Sequence, residues 1–496
     1  MKIILAGYNV DTDVLEDLKK SSRERQDVTP ETLSASYARI SRDPRQIDEL
    51  RKAAREEVEK SRKSNQSIIF KMGHHSVAEH AVFNFDIIGV SRLAIEEIEH
   101  FRLCSFTEKS QRYITLANDF VIPDEIKGTK HEEMFKNIIG MQNELYHKLF
   151  GILREYVYKK YSELAKDSKN QNLLEGWAKE DARYITSLAT QGQLGFTVNA
   201  RNLELMLRRF AGSQSSEVRD IGRRLWESVE RVAPSIILFY KANDFDQNTY
   251  PDLKEAIKKS TAVKNLKPSV LDSQAVSLVD YNKDADDMTL SAIAHTVSGA
   301  SFNDCMGIIK RMSAEDKKGI IKQSFKRMEF YDSTLREFEY AGLTYEIVLS
   351  ASCFAQLKRH RLATLTCQEY DPKLGVTIPQ SIIDIGMEAE FMEVVKRTED
   401  AYEKIKNDIP LSASYILTNA HRRRVLFGCN ARELYHISRL REDNHAQWDI
   451  RQVSAEMAEQ AKKVMPLTML LICGKDKYHE KYKEVFDCMP KMVSMS

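Results

Sequence analysis

Long apolar runs are missing from this sequence. None of its stretches approaches the ~20 consecutive apolar residues needed to cross a bilayer, so no membrane partner is expected. Glycine (19) and proline (11) are few among 496 residues, which excludes collagen-like and low-complexity chains and favours a globular, helix-rich one. An excess of one charge is also lacking. The 74 Lys and Arg meet 73 Asp and Glu, so no nucleic acid is expected to be gathered by bulk charge. The seven cysteines are scattered, odd in number and without a CxxC pair; reduced thiols in a cytoplasmic protein are expected, with neither a disulfide frame nor a zinc site. Neither G-x-G-x-x-G nor G-x-x-x-x-G-K-[ST] occurs, which removes Rossmann and P-loop nucleotide sites.

What is present reads as alternating short strands and helices. Lys2 to Ala6 is a strand rather than a signal peptide, followed by a helix over 11–20. Thr29-Pro30-Glu31 is a helix start, and helical patterns cover 32–41 and 46–63. A strand is expected over 81–88, then a helix over 92–101. A long amphipathic helix is expected over 132–164, two helices with a turn near Gln191-Gly192 over 175–209, and another helix over 218–244, interrupted near Pro234. The polar stretch after it places a linker at 251–271, between domains 1–250 and 272–496.

From Asp272 the chain starts again. Thr289-Leu290-Ser291-Ala292 echoes Thr32-Leu33-Ser34-Ala35, Arg361-Leu362 echoes Arg102-Leu103, and Asn430-Ala431-Arg432 echoes Asn199-Ala200-Arg201. Ala182-Arg183-Tyr184 and Ala413-Ser414-Tyr415 precede their asparagines by the same spacing. The common order favours two diverged copies of one α+β domain in tandem. The first copy carries extra length near 130–175, with no role assigned to it.

Arg102, Arg112 and Arg183, with Arg359, Arg361, Arg432 and Arg441, lie in or beside apolar runs. A buried guanidinium needs an anionic partner. Each arginine alone is equally well explained by an internal salt bridge to Glu79, Glu108, Glu337 or Glu433; a set this large favours a phosphate-bearing ligand. His421-Arg422-Arg423-Arg424 reads first as a solvated helix face and second as a small-anion site. His74, His75 and His80 around Glu79 lack further ligands at zinc spacing, so no metal is expected. Ser110, between Glu108 and Arg112, has no evident histidine base and is read as a ligand hydrogen-bonder.

These residues resemble the flavin-dependent thymidylate synthases, whose signature is R-H-R-x-x-S-x-N-E-x-S-x-R-Y, preceded by H-x-S-x-x-E-H and followed by N-x-R-E-L and A-Q-x-E-I. The first copy has His74-x-Ser76-x-x-Glu79-His80 and then H-F-R-L-C-S-F-T-E-K-S-Q-R-Y from His100 to Tyr113, departing at His100, Phe101 and Thr107. The second has R-H-R-L-A-T-L-T-C-Q-E-Y-D-P from Arg359 to Pro372, keeping the R-H-R and losing the rest. Its tail from Asn430 to Ile450 matches the family closely. The expected fold is therefore α+β, each copy a small antiparallel sheet flanked by long helices.

The resemblance implies reductive methylation of dUMP, or a related pyrimidine nucleotide, at C5. FAD would be the cofactor, with NADPH and methylenetetrahydrofolate as co-substrates. Carried over by position, Glu108, Ser110, Arg112 and Arg183 from the first copy, with Gln356, Arg359 and Arg441 from the second, would hold the nucleotide. Arg441 would be catalytic, engaging the uracil. Ser76, Glu108, Arg359, His360, Arg361, Asn430, Arg432 and His436 would contact flavin. Where one copy has kept a ligand the other has lost it: Glu97, His100 and Phe210 stand where the second copy has Gln356, Arg359 and Arg441, and Ser414 stands where the first has Arg183. One composite site built from both copies beside one degenerate site is expected, as is a homodimer forming a pseudo-tetramer. The rival readings are a catalytically silent nucleotide- or flavin-binding relic with a regulatory or assembly role, and a flavoenzyme acting on a different pyrimidine nucleotide.

Overall fold

Two four-stranded antiparallel sheets organise the chain, and both have the same strand order. The computed structural model describes residues 1–20, 27–260 and 275–491. The chain forms two compact units, Met1–Pro268 with Ile385–Leu417, and Ser269–Asp384 with Thr418–Ser496.

The first sheet comprises β1 (Lys2–Tyr8), β2 (Val82–Ser91), β3 (Cys104–Glu108) and β4 (Gln191–Asn199) in the order β1-β2-β4-β3. Its sequence alternates: Phe83, Phe85 and Ile87 of β2 are buried, while Asn84, Asp86 and Ile88 between them are exposed. That period of two buries one face and solvates the other. Phe85, Phe196 and Phe106 stand opposite one another across three strands, their rings stacked at 5.8 and 5.3 Å. The helices Arg92–Glu99, Ala200–Ala211 and Ser216–Val229 bring Ile95, Leu203, Met206, Leu207, Val218 and Ile221 into the same core.

β4 corrects the expectation of two helices with a turn at Gln191-Gly192. Leu194, Phe196 and Val198 are buried at alternate positions, the strand period, and the turn dipeptide is the start of the strand. A Cβ at Gly192 would lie 2.5 Å from Ile95 Cδ1, so a larger residue there would have to displace the end of that side chain. Apolar residues recur from Leu194 to Leu207 on both sides of Asn199, which conceals the switch of period there, where the strand passes into the helix. The helix expected over 46–63 is two, Ile47–Glu56 and Val58–Gln66, broken at Glu57 (φ −126°, ψ 60°).

The long helix is present as Glu132–Lys160, with Phe135, Ile139, Tyr146, Leu149 and Leu153 buried along one side. Beside it in the same unit lies Glu388–Asp408. Buried Gln142 joins them, its Nε2 donating to Thr398 Oγ1 and to the Ile416 carbonyl, each at 2.9 Å. The Tyr415 hydroxyl donates to Glu217 at 2.8 Å, and Glu217 also accepts from the Ser91 amide and hydroxyl. These buried hydrogen bonds seat residues 385–417 in the first unit, although sequence order puts them in the second half. Residues 251–259 of the expected linker are helical, within Asp244–Lys259, whose start is fixed by an Asn243–Asp246 capping box. Residues 261–271 lie outside the described residues.

The second sheet comprises β5 (Val276–Tyr281), β6 (Gly342–Ser350), β7 (Thr364–Cys367) and β8 (Arg422–Asn430) in the order β5-β6-β8-β7. Val82 pairs with Asn199 and Gly342 with Asn430; Ser105 pairs with Thr197 and Thr364 with Gly428. Position for position, then, the registers correspond. β2 has 10 residues to the 9 of β6; Gly89, at φ +72°, lies where its register shifts. Helices Ala351–Leu357, Ala431–Arg441 and Trp448–Val464 cover this sheet with Phe354, Leu434, Ile437, Val453 and Met457.

Phe196→Ala should lower unfolding stability by about 3–5 kcal/mol, the usual cost of emptying a buried phenyl site. Chemical denaturation followed by circular dichroism measures this, and a loss below about 1 kcal/mol would contradict the stacked ladder as a core element.

Candidate functional site

In the second unit the site begins with an asparagine. Asn430 ends β8, and its side chain accepts from the Glu433 amide at 2.9 Å, capping the helix Ala431–Arg441. The expected flavin contact Asn430 is therefore first of all a helix cap. Three turns on, the same helix presents Arg441. Its Nε donates to His360 Nε2 at 2.9 Å and its Nη2 to the Gln356 carbonyl at 3.3 Å. The Gln356 side chain in turn donates to Gln447 Oε1 at 2.9 Å. Three sequence-predicted residues, Gln356, His360 and Arg441, thus meet directly.

His360 follows the helix Ala351–Leu357 and turns inward, while Arg359 and Arg361 on either side of it are exposed. Burial, reinforced by the Arg441 charge, pushes the His360 pKa from 6.5 down to about 3. The ring is neutral at physiological pH. Since Nε2 accepts from Arg441, the proton is on Nδ1. That nitrogen faces Glu433 Oε1 at 3.5 Å. Burial raises the Glu433 pKa, with His436 and Arg432 opposing. His436 packs edge-on to His360, ring centres 5.8 Å apart, at an exposed position. Arg432 is held apart from this group by Glu339 at 2.8 Å and the Thr334 carbonyl at 2.9 Å.

In the first unit Glu108 ends β3, and Ser110 follows, its hydroxyl accepting the Arg112 amide at 3.2 Å. A cavity of about 460 Å³ runs beside Glu108, bordered by Asp86, Thr107 and Gln193. Arg112 Nε donates to the buried carboxylate of Glu180. Arg183 is buried nearby; burial lowers its pKa, the Glu180 charge working against the shift and Arg112 and Arg92 adding to it. Arg112 and Arg183 are therefore gathered around one carboxylate. Glu180 lies three residues before Arg183, on the helix Gln171–Ala182. That helix begins inside the extra length near 130–175, but Glu180 lies beyond it; only the i, i+3 spacing hinted at the pairing. Ser76 is exposed on the two-turn 3-10 helix His75–His80. Glu79 in that helix accepts from Arg201 at 2.5 Å, the counterpart of Glu339 with Arg432.

Other expectations resolve into structure. Arg422, Arg423 and Arg424 lie on β8, not on a helix face. Arg422 donates to Thr377, Arg423 lies between the rings of Phe354 and Tyr370 at 4.6 and 4.3 Å, and Arg424 pairs with Glu346. His80 packs on Tyr37 and His75 on Phe70. Burial raises the pKa of Cys353, Cys429 and Cys473, the last to about 12, so these thiols are poor nucleophiles.

The buried neutral imidazole has a consequence for stability. His360 takes up a proton on unfolding between about pH 6.5 and 3, so it destabilises the fold progressively as pH falls through that window. His360→Gln keeps an acceptor for Arg441 and removes this proton. The variant should lose less stability than the parent between pH 7 and pH 4.5 in urea titrations; equal losses would show that His360 titrates normally.

The model of the family described as thymidylate synthase complementing protein matches residues 25–235 and again 277–467. A UPF0159 protein of Chlamydia muridarum is 26% identical over 425 residues, covering 82% of this chain and 80% of its own. A flavin-dependent thymidylate synthase of Clostridium tetani is 30% identical over 215 residues, 42% of this chain and 82% of that one. Another, from Pyrococcus furiosus, is 32% identical over 171 residues, 33% of this chain and 60% of its own. A crystal structure of a UMP/dUMP methylase PolB from Streptomyces cacaoi, bound with 5-Br dUMP, aligns over 40% of this chain and 95% of its own at 19% identity, with a TM-score of 0.32, too loose a superposition to inform the site. With the family model matched in both stretches, and with the sheets of both stretches sharing one strand order, the chain belongs to the thymidylate synthase complementing protein family.

Proposed function

We propose that this chain is a flavin-dependent thymidylate synthase-type enzyme that methylates dUMP at C5, using methylenetetrahydrofolate and NADPH, with one complete set of ligand residues divided between its two halves. The observation that carries the reading is that division. The first half gathers Arg112 and Arg183, and the second joins Gln356, His360 and Arg441. At the second group's positions the first half has Glu97, Phe101 and Phe210, and at Arg183's position the second has Ser414.

The donor chemistry fits both phosphate-bearing molecules. Arg112 and Arg183 supply forked donors for the nucleotide phosphate, with Glu108 and Ser110 beside them for hydroxyl and amide groups. Arg359 and Arg361, exposed on either side of His360, are assigned to the flavin pyrophosphate, and Arg432, Asn430, His436 and Ser76 complete the proposed flavin contacts. Bound flavin would supply the hydride that reduces the transferred carbon to a methyl group. The chain's own part is electrostatic. Arg441 would face the pyrimidine and stabilise negative charge as it develops on the ring, its fork fixed by His360 and the Gln356 carbonyl. Cys353, Cys429 and Cys473, whose pKa values burial raises, are assigned no part. A homodimer, cytoplasmic in location, remains part of this reading.

Two substitutions separate the roles. Arg441→Ala should lower kcat for dUMP methylation by roughly 10²–10³-fold. Arg112→Ala should mainly raise the KM for dUMP, by about 10–100-fold, as expected for one lost charged contact. Near-parental kinetics in both variants would overturn the assignment.

A further inference from the structure

We propose that Glu433 is a positioning residue for Arg441, acting through His360. Its carboxylate holds the Nδ1–H of His360, which keeps Nε2 turned to Arg441 as an acceptor and so sets the guanidinium. This rests on the functional reading above, which assigns Arg441 to the pyrimidine.

The chemistry of the three groups leaves little alternative. Arginine can only donate, so the 2.9 Å contact requires a bare Nε2 on His360. Left alone, a neutral imidazole divides its proton between both nitrogens; a carboxylate at Nδ1 selects the tautomer. Glu433 is only 3% exposed and His360 5%, so water competes weakly for either group. The 3.5 Å separation from Glu433 Oε1 to Nδ1 is long for a hydrogen bond and would shorten as Arg441 takes up its partner. The pKa of His360, pushed to about 3, keeps the ring in the neutral form that this arrangement needs.

The first half supplies an internal control. By strand register and helix cap, Asn202 corresponds to Glu433, Phe101 to His360 and Phe210 to Arg441. All three members are replaced together. Phe101 and Phe210 meet edge to face at 5.7 Å, and Asn202 donates to Asn199 within the helix cap instead. A carboxylate with a merely structural part in the helix had no reason to disappear with the other two. Retaining one buried member of a broken polar group is costly, whereas replacing the whole group is not.

The test uses the full chain labelled with ¹⁵N-histidine, the His360 signal being identified by its loss in His360→Gln. The expected spectrum shows a neutral His360 protonated on Nδ1 in the parent and in Glu433→Gln, whose amide oxygen still accepts. In Glu433→Ala that preference should be lost, with kcat/KM for dUMP down about 10–100-fold, while Glu433→Gln stays within about threefold. A parental His360 protonated on Nε2, or a Glu433→Ala variant with unaltered tautomer and activity, would overturn the proposal. Arg441→Ala runs beside them. If it is fully active, the functional reading fails, and the nitrogen spectrum still decides the positioning by itself. If it is inactive while Glu433→Ala is unaffected, only the positioning fails.

Discussion

Each half depends on one join, where the long strand beside the sheet's centre ends in an asparagine and that asparagine caps the helix over the sheet. At Asn199 and Asn430 the side chain accepts from the amide three residues on, and the next residue's amide donates back to the sheet, Ala200 to Ala81 and Ala431 to Ala341. Such a cap contributes about 1 kcal/mol, but its geometric effect is larger. With strand direction and helix start both fixed, the residue eleven positions later is placed over the end of the preceding helix. In one half that residue is Phe210 against Phe101; in the other it is Arg441 against His360.

The same backbone therefore supports two internally consistent fillings. The aromatic pair needs no partner and gains by excluding water. The polar group must be complete, because buried donors and acceptors left unmatched cost more than the hydrogen bonds return. That asymmetry explains why intermediates, a phenylalanine against an arginine or a histidine against a phenylalanine, occur in neither half. The other half of the chemistry follows an analogous rule. Arg112 and Arg183 would repel each other, and Glu180 lies close to both.

The repeat was legible because it is written in short words, Asn-Ala-Arg among them, that sit at the caps, where residue type is dictated by backbone geometry. The pairing of His360 with Arg441 was not, since it spans residues distant in sequence and depends on register. β4 was misread because the apolar positions Leu194, Phe196 and Val198 are followed closely by the apolar face of the next helix, so the change of period at Asn199 is hard to see. The placement of 385–417 was equally hidden. Gln142, Thr398 and Tyr415 look like ordinary polar residues on helices until their buried partners are seen. Glu180 was missed because it matches no motif and only its i, i+3 spacing from Arg183 pointed to it.

The central claim is that the two halves together carry one working set of ligands. Counting bound flavin most directly tests it: the absorbance spectrum of the purified full-length protein, reconstituted with excess FAD, desalted, and titrated with dUMP. One working set of ligands requires one flavin per chain, with a spectrum perturbed by dUMP. Two flavins per chain would contradict it by showing that the half with Phe101 and Phe210 binds cofactor as well, and a colourless protein would remove the flavin from the account altogether.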